Sequence, residues 1–308
     1  MAYKYYELPV CYMGSGLELK LPVHELSGGD GITVGITACI HGDETIGVEI
    51  VRRVVEKLKE TKIKGTVRVM PVANPLGFEQ GKRNTPIDMT NMNRIFPGRY
   101  NGSLTEVQAR VIADKFLAGL NAYIDVHAGG QDPVVDYVYA TNDEGFSRSF
   151  LSKILYTPSN PYPGTSATYT LPHDISTVTI ECGGGPNALY YVEKGVKGIW
   201  NMLKYKGVVE GEPEKRDDQI HIGHIEHVNP RHAGLYVPCF TYESMNTIIE
   251  GKGVVLGRIY NPMTLELLEE LKTPYERNLM ILMRCDINVI LVGDFTFMIG
   301  DLNSEIKK

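Results

Sequence analysis

A histidine and two acidic residues stand together in the segment His41-Gly42-Asp43-Glu44. The apolar run GITVGITACI before them predicts a buried strand, and TIGVEIVRRVVEKL after them predicts an amphipathic helix. Two interpretations fit acidic residues at such a strand-to-helix turn. Asp43 or Glu44 can cap the helix by accepting hydrogen bonds from the free N–H groups of its first turn. Alternatively, His41 and Glu44 bind a metal ion from the same face of that turn.

Three further predicted strands end in side chains of the same chemical kind. TVRVMPVAN ends at Asn74, AYIDVHAGG carries Asp125 and His127, and STVTIECGGG carries Glu181. In an open α/β sheet, ligands bind at the C-terminal ends of the strands. We therefore expect these side chains to lie close to the His-Gly-Asp-Glu turn, which makes a binding site there more probable than a simple helix cap.

Two histidines and one glutamate form a known ligand set for a catalytic zinc ion, which keeps a fourth position for water. The sequence therefore predicts one zinc ion per chain, bound by His41, Glu44 and His127, although cobalt or manganese would fit the same ligands. The spacing differs from HExxH, in which both histidines lie on one helix. Asp125 points to the same side of its strand as His127 and can orient that ring, but a purely structural hydrogen bond is an equally open alternative.

The elements that position these residues follow an alternating order. A β-hairpin or edge strand is predicted over residues 1–30, and helices are predicted at 45–59, from Thr105 onward, at 142–156 and at 189–207. A long polar loop at residues 75–102 is expected to be functional because of its length. Strands that alternate with helices over the first 207 residues predict an α/β sheet, largely parallel, with helices on both faces.

The pattern changes after the polar segment GEPEKRDD at residues 211–218, which resembles a linker. Short β-like runs follow, and TLELLEELKT fits either a helix or a strand. We therefore predict two domains, a catalytic domain at residues 1–210 and a smaller, mostly β domain at residues 211–308 that caps or shapes the active site.

Composition excludes several classes of partner. The formal net charge of −6 argues against a nucleic-acid-binding surface. No apolar run approaches the length of about 20 residues that spans a membrane, and the N-terminus lacks the pattern of a signal peptide. The five cysteines are scattered and form no CxxC pair. These features predict a cytoplasmic protein with reduced cysteines, without nucleic-acid or membrane partners and with homodimerisation as one option.

Five separated sequence motifs resemble those of a known protein family. IHGDE, VANPLGFEQGKR, MNRIFPG, IDVHAGG and IECGGG occur in this order within residues 30–200, and this region resembles the aspartoacylase/succinylglutamate desuccinylase family. That family is a branch of the zinc carboxypeptidase-like fold, so the resemblance implies a mixed sheet flanked by helices. The runs GKGVVLGRIY and VGDFTFMIGD resemble the barrel-like C-terminal appendage of the family's predicted deacylase branch.

The resemblance implies catalytic roles that suit the residue types. His41, Glu44 and His127 match the zinc ligands, and Glu181 matches the general base that activates water. Arg83 matches the arginine that helps to polarise the scissile carbonyl. A zinc ion would lower the pKa of its bound water and polarise the amide oxygen, while a glutamate of this kind carries the proton to the departing amine.

The resemblance also implies how a substrate is held, with one departure. Asn93 and Arg94 match the pair that binds a substrate carboxylate. Asn74 lies in the matching VANP turn, where it shapes the loop, and we assign it to substrate binding together with that pair. Aspartoacylase proper uses a further arginine shortly before the general base, but PYPGTSATYTLPHDISTVTIE contains neither arginine nor lysine. We therefore do not expect N-acetylaspartate or succinylglutamate as substrates. His173 can replace that arginine, or it is simply a surface histidine.

Together these observations predict a zinc-dependent amidohydrolase that removes the acyl group from an N-acylated amino acid or a similar small amide. Two alternatives are a zinc carboxypeptidase-like peptidase that acts on short peptides and a non-catalytic metal- or ligand-binding module. The segment HIGHIEHVNPRH is interpreted as a histidine-rich surface strand or loop rather than a second metal site. Its histidines are His221, His224, His227 and His232.

Overall fold

The computed structural model describes residues 1–306 of the chain, and within that range the fold is mixed α/β. The strands are β1 (Ala2–Tyr12), β2 (Glu18–Ser27), β3 (Thr33–Ala38), β4 (Thr66–Met70), β5 (Ala122–His127), β6 (Val134–Ala140), β7 (Ile154–Tyr156), β8 (Ser176–Gly183), β9 (Ile220–Ile222), β10 (Ile225–Val228), β11 (Gly234–Pro238), β12 (Ile248–Glu250), β13 (Val255–Tyr260), β14 (Leu267–Lys272), β15 (Arg277–Met283), β16 (Asn288–Ile290) and β17 (Phe297–Asp301). The α-helices are α1 (Thr45–Lys59), α2 (Pro75–Gln80), α3 (Leu104–Val111), α4 (Glu144–Arg148), α5 (Ser166–Thr170) and α6 (Ala188–Tyr205).

Four neighbouring parallel strands form the centre of the larger sheet. Their order is β4, β3, β5 and β8, so their carboxyl ends meet at one edge. The hairpin of β1 and β2 adds to β4 in antiparallel fashion, and β6 adds antiparallel to β8. The sheet is therefore mixed, as expected, and its four central parallel strands are those that end at the predicted site.

The central strands are buried on both faces, which explains their nearly continuous apolar sequences. On one face, Ile124 of β5 joins a core that contains Ile50 of α1 and Ile199 of α6. On the other face, Tyr123 joins a core formed with α3 and the π-helical turn that continues it. Helices α1 and α6 approach closely because a Cβ atom at Gly195 would lie only 2.4 Å from Cδ1 of Ile50.

The predicted helix over residues 142–156 is largely wrong. Phe146, Phe150 and Ile154 are spaced four residues apart, which imitates one apolar face of a helix. Only α4 is helical, because the backbone turns at Leu151 with φ of +67° and the chain then enters β7. Strand β7 pairs in parallel with β6, a strand that the sequence analysis missed.

Other local predictions are confirmed or refined. Helix α1 has the predicted bounds, and Ser103 caps α3 in a capping box with Glu106. The polar loop at residues 75–102 is partly ordered by α2 and by a short 3₁₀ turn, Met92–Arg94. TLELLEELKT contributes the strand β14 rather than a helix. All five cysteines are unpaired.

The C-terminal strands divide between two sheets. Strands β10, β12, β15 and β17 extend the large sheet, which they enter where β15 pairs with β6, and β9 joins the same sheet by pairing with β7. Strands β14, β13, β11 and β16 form a separate four-stranded sheet. The division into domains after residue 210 stays a prediction, since the large sheet crosses that point. None of the helices at residues 1–306 has the length and apolar character that would let it cross a membrane.

The contact between α1 and α6 should be essential for stability. Ile50 is completely buried against Gly195, so Ile50→Ala should lower the free energy of unfolding by about 2–5 kcal/mol through lost burial and a residual cavity. Chemical denaturation would measure this change. Glu56→Ala on the exposed face of α1 is the control, with an expected change below about 1 kcal/mol. Equal losses in the two variants would contradict the packing described here.

Candidate active site

The turn after β3 brings the first predicted ligands into the interior. Cys39 adopts φ of +55°, and the chain then reverses so that His41 and Glu44 are 3% and 2% exposed. Gly42 is required here, because a Cβ atom at this position would lie 1.9 Å from the carbonyl carbon of Gly77. Glu44 occupies the N-cap position of α1, but its side chain makes no capping hydrogen bond. The capping interpretation is therefore wrong for Glu44.

Instead, the Glu44 carboxylate lies between the two predicted histidine ligands. Its Oε1 is 2.8 Å from Nδ1 of His41, and its Oε2 is 2.9 Å from Nδ1 of His127. The two Nδ1 atoms are 3.2 Å apart. The backbone N–H of Ala128 also donates to Oε2 of Glu44. Strand β5 thus supplies His127 to a point that the β3–α1 turn reaches from the neighbouring strand.

Burial and charge act against each other in this group. Burial lowers the pKa of His41 to about 4, so this imidazole is neutral near pH 7. Burial alone would lower the pKa of His127 and raise that of Glu44. The carboxylates of Asp125 and Glu44 instead raise the pKa of His127 well above its ordinary value. In return, the two histidines hold the pKa of Glu44 well below its ordinary value.

The far side of each histidine ring faces an acceptor. Nε2 of His127 lies 3.0 Å from Oδ2 of Asp125, and Nε2 of His41 lies 3.2 Å from Oδ1 of Asn91. Each Nε2–H can therefore donate outward, so that both Nδ1 lone pairs would face the common point once His127 gives up its second proton. Asn91 was missed by the sequence analysis, because a loop asparagine carries no spacing signal that ties it to a histidine 50 residues earlier.

Asp125 is completely buried and fully engaged by donors. Thr37 donates a hydrogen bond of 2.8 Å to Oδ1, and Ser166 of α5 donates one of 2.6 Å to Oδ2. Burial would raise the pKa of Asp125, but the charge of His127 and these hydroxyl donors hold the pKa below its ordinary value. A carboxylate in this setting stays ionised and fixes the orientation of His127.

The chemistry of this group of side chains suits a metal ion. His41, Glu44 and His127 form the only group of three or more potential ligand residues that converges within residues 1–306, with ligand atoms within 4.8 Å of one another. Two imidazole nitrogens that face each other beside a carboxylate need either a shared proton or a cation between them. The residues present therefore fit a zinc ion, which takes nitrogen and carboxylate ligands of this kind.

Glu181 lies next to the triad on β8, where it is the register partner of His127 across the parallel pair. Burial raises its pKa to about 8, with a smaller contribution from the charge of Glu44, although His127 opposes this increase. Tyr137 is its partner across the antiparallel pair with β6. A carboxyl group whose pKa lies near neutrality can both accept and return a proton.

The two predicted arginines lie on the same cavity but have different partners. Nη1 of Arg83 donates to Oε1 of Glu44 at 3.1 Å, so this guanidinium already contacts the ligand group. Arg94 donates to the backbone carbonyl of Asn93, and its guanidinium lies 5.1 Å above the ring of Tyr162. No carboxylate within residues 1–306 forms an ion pair with Arg94, which leaves its charge available to a ligand.

The two predicted asparagines are placed differently from each other. Asn93 lines the cavity, where its Nδ2 is 3.1 Å from His127 and its Oδ1 accepts from the N–H of Ser166. Asn74 is completely buried and uses its side chain to cap α2 and to hold Thr85. The structure thus places Asn74 in the loop framework, behind the cavity surface, and its assignment to direct substrate contact is not supported by its position.

These residues open onto a cavity of about 340 Å³. Of the described residues that line it, those with ordinarily charged side chains are Arg83, Arg94 and Glu181, besides the two histidines. The remaining wall is neutral, with Tyr139, Thr141, Asn142, Thr157, Tyr162, Thr168, Leu171 and Thr179 among its members. A larger cavity of about 580 Å³ at Arg148 and Arg216 contains none of the ligand group, so it does not serve this chemistry.

The remaining histidines do not join the ligand group. His173 is exposed and contacts the ring of Tyr169, which agrees with the surface interpretation. Within the histidine-rich segment, His221 and His227 contact Thr157 and Tyr162, which are cavity residues. The surface interpretation is therefore wrong for His221, which is buried. Both contacts depend on where the C-terminal strands meet the earlier part of the chain, so they left no local signal in the sequence.

The chain is similar in sequence to a known family of proteins. Residues 30–188, about half of the chain, match the model of the succinylglutamate desuccinylase/aspartoacylase catalytic domain. An N-alpha-acetyl-L-2,4-diaminobutyric acid deacetylase from Halomonas elongata is 25% identical over 264 residues, which cover 79% of this chain and 75% of that protein.

Two crystal structures share the fold over nearly the full chain. A succinylglutamate desuccinylase from a Silicibacter species superimposes with a TM-score of 0.83 at 21% identity, covering 97% of this chain and 94% of that one. An aspartoacylase family protein from Mesorhizobium loti superimposes with a TM-score of 0.82 at 22% identity, covering 99% and 96%. These similarities confirm the mixed α/β fold with its β-rich C-terminal region.

The geometry predicts which variants lose metal. Zinc-loaded protein should retain about one ion per chain after dialysis, and His41→Ala and His127→Ala should lose most of it, because each removes one of three ligands. Elemental analysis by mass spectrometry would measure this. Glu181→Gln is the matched control, since Glu181 lies beside the triad without belonging to it. Zinc retained by both histidine variants would contradict the ligand assignment.

The raised pKa of Glu181 predicts that the metal-free protein loses stability as the pH rises. Between its ordinary pKa of 4.5 and the raised value of about 8, the unfolded chain releases a proton that the folded chain keeps. Stability of the metal-free protein therefore falls as pH rises through this window. Glu181→Gln removes that loss, so it should raise the melting temperature at about pH 9 but not at about pH 5. An equal change at both pH values would contradict the assignment.

Proposed function

This chain belongs to the succinylglutamate desuccinylase/aspartoacylase family of amide-bond hydrolases, and from that premise we propose that it is a zinc-dependent deacylase of small N-acylated amino acids. The observation that carries the proposal is the convergence of His41, Glu44 and His127 beside Glu181, at a cavity that Arg94 also lines. The relative from Halomonas elongata is named a deacetylase, which favours a small acyl group such as acetyl.

Each side chain has a role that its surroundings support. A zinc ion held by His41, Glu44 and His127 would activate a water molecule and polarise the scissile carbonyl. Glu181 accepts the proton of the attacking water and returns it to the amine as the amide bond breaks, which its pKa near neutrality favours. Arg83, held beside Glu44, stabilises the negative charge that develops on the amide oxygen.

Substrate recognition is assigned to a single permanent cation. Arg94 presents a planar guanidinium that can bind one carboxylate through two hydrogen bonds. Asn93 supports the site from behind, because its Oδ1 accepts a hydrogen bond from the N–H of Ser166. One carboxylate on the amino acid half of the substrate is therefore bound by a charged partner.

The rest of the cavity suits a neutral acyl group. Its wall consists of hydroxyl, amide and apolar side chains, with Thr168 and Leu171 in the segment where aspartoacylase proper has its further arginine. A second carboxylate placed against this wall would lose water without gaining a cationic partner, which is costly. The proposed substrates are therefore N-acyl amino acids with one carboxylate, rather than N-acetylaspartate or succinylglutamate.

A substrate panel tests this proposal. Zinc-loaded protein should release the free amino acid from N-acetyl derivatives of neutral amino acids more efficiently than from N-acetylaspartate, as measured by amine detection. Glu181→Gln should lower kcat/KM by about 100- to 10,000-fold while the protein keeps its zinc, because the variant loses the proton acceptor.

Three results would decide against the proposal in different ways. Release of C-terminal residues from short peptides, with none from the N-acetyl panel, would indicate a peptidase instead. Zinc binding without hydrolysis of any substrate would favour a binding module. Full activity of Glu181→Gln would remove Glu181 from the mechanism.

A further inference from the structure

One wall of the cavity is a short segment between two regular elements. Residues 157–165, here called the wall segment, run from the end of β7 to the N-cap of α5. Five of its nine residues line the cavity, namely Thr157, Pro158, Pro161, Tyr162 and Thr165. The segment contains three prolines and one glycine but no charged side chain. It forms no ion pair of its own, so its position depends on contacts with residues outside the segment.

His221 holds the beginning of the wall segment. Its Nε2 lies 2.8 Å from Oγ1 of Thr157, and the same hydroxyl donates a hydrogen bond of 3.1 Å to the carbonyl of Ala140. Because the hydroxyl has only one proton, it must accept the bond from Nε2–H of His221. The other ring nitrogen, Nδ1, lies 3.5 Å from Nη2 of Arg148 and 3.7 Å from Oε1 of Glu144.

His227 holds the segment near its other end. Its Nε2 lies 3.3 Å from the hydroxyl of Tyr162, and its ring packs against Phe295 with centroids 5.5 Å apart. The ring of Tyr162 in turn lies under the guanidinium of Arg94. A continuous series of contacts therefore runs from the C-terminal strands to Arg94, the residue that we propose binds the substrate carboxylate.

The other histidines of the same segment behave differently. His224, three residues before His227, is exposed, and its ring contacts Tyr275. His232 forms an ion pair with Glu269. Neither residue lines the cavity. Only the two histidines that face the first half of the chain reach the wall segment, so the contact is selective within one short stretch of sequence.

We propose that His221 and His227 are positioning residues that fasten the wall segment at Thr157 and at Tyr162, and that His227 sets Arg94 through Tyr162 for binding of the substrate carboxylate. This inference rests on the proposed function, because it assumes that Arg94 binds a carboxylate. It gives the histidine-rich segment a role in substrate recognition rather than in binding a second metal. It also makes the C-terminal strands part of the substrate site.

Binding without turnover tests the contact directly. In the zinc-loaded Glu181→Gln protein, calorimetry would measure the affinities for N-acetyl-L-alanine and for its amide, which lacks the carboxylate. His227→Leu should weaken binding of the acid by about fivefold, the effect of one lost hydrogen bond, and should leave binding of the amide unchanged. His227→Gln should restore most of the affinity, because its amide can still bond to Tyr162.

Two further variants guard against a general structural effect. Tyr162→Phe removes only the hydroxyl, and it should reproduce the loss that His227→Leu causes even if the latter folds poorly. His224→Gln is the matched control, and it should bind both compounds as the parent protein does. The proposal would be overturned if these substitutions weakened binding of the acid and of the amide equally. It would also be overturned if neither His227→Leu nor Tyr162→Phe changed the affinity for the acid.

Failure of the proposed function gives a different result. If the protein with Glu181 intact hydrolyses no N-acyl amino acid, but the Glu181→Gln protein binds N-acetyl-L-alanine through a carboxylate that depends on His227, the deacylase proposal fails and the positioning role stands. If binding shows no preference for the acid over its amide, the role of His227 in setting Arg94 is overturned.

Discussion

Burial of His41, Glu44 and His127 against one another is the constraint on which the rest of the site depends. Ionisable groups removed from water are stable only when partners compensate their charge and fill their hydrogen-bonding capacity. Here the compensation extends outward in layers. Asp125 faces His127 and is held by two hydroxyl donors, while Asn91 faces His41. The outer layers leave the inner nitrogens directed at one point, which is the arrangement that a cation requires.

The sheet supplies this arrangement because its central strands are parallel. The ends of β3 and β5 lie side by side, so the turn into α1 and the end of β5 meet without any long excursion of the chain. Glu181 arrives on the next strand in register with His127. The C-terminal strands continue the same sheet beyond β6, and this continuity brings His221 and His227 against a cavity that is otherwise built by the first half of the chain.

Much of the site could be predicted from sequence because its residues lie at strand ends and in motifs with a recognisable order. The ligand triad was found in this way, and the structure brings it together. Contacts that depend on long-range packing left no local signal, as with Asn91, Ser166 and Tyr162. The apolar spacing of Phe146, Phe150 and Ile154 imitated a helix because periodicity cannot reveal a turn at Leu151 or the pairing of β7 with β6. For Asn74 the motif was misleading. Its position in the motif suggested contact with the substrate, but in the structure its side chain caps helix α2.

The central claim is that a metal ion binds where the two imidazoles and Glu44 converge. Crystals of the zinc-loaded protein, measured at wavelengths on either side of the zinc absorption edge, would test it most directly. We expect one strong anomalous difference peak per chain, within bonding distance of Nδ1 of His41, Nδ1 of His127 and the Glu44 carboxylate. A peak elsewhere, for example at the histidines of residues 221–232, or no peak above noise at the triad, would contradict it.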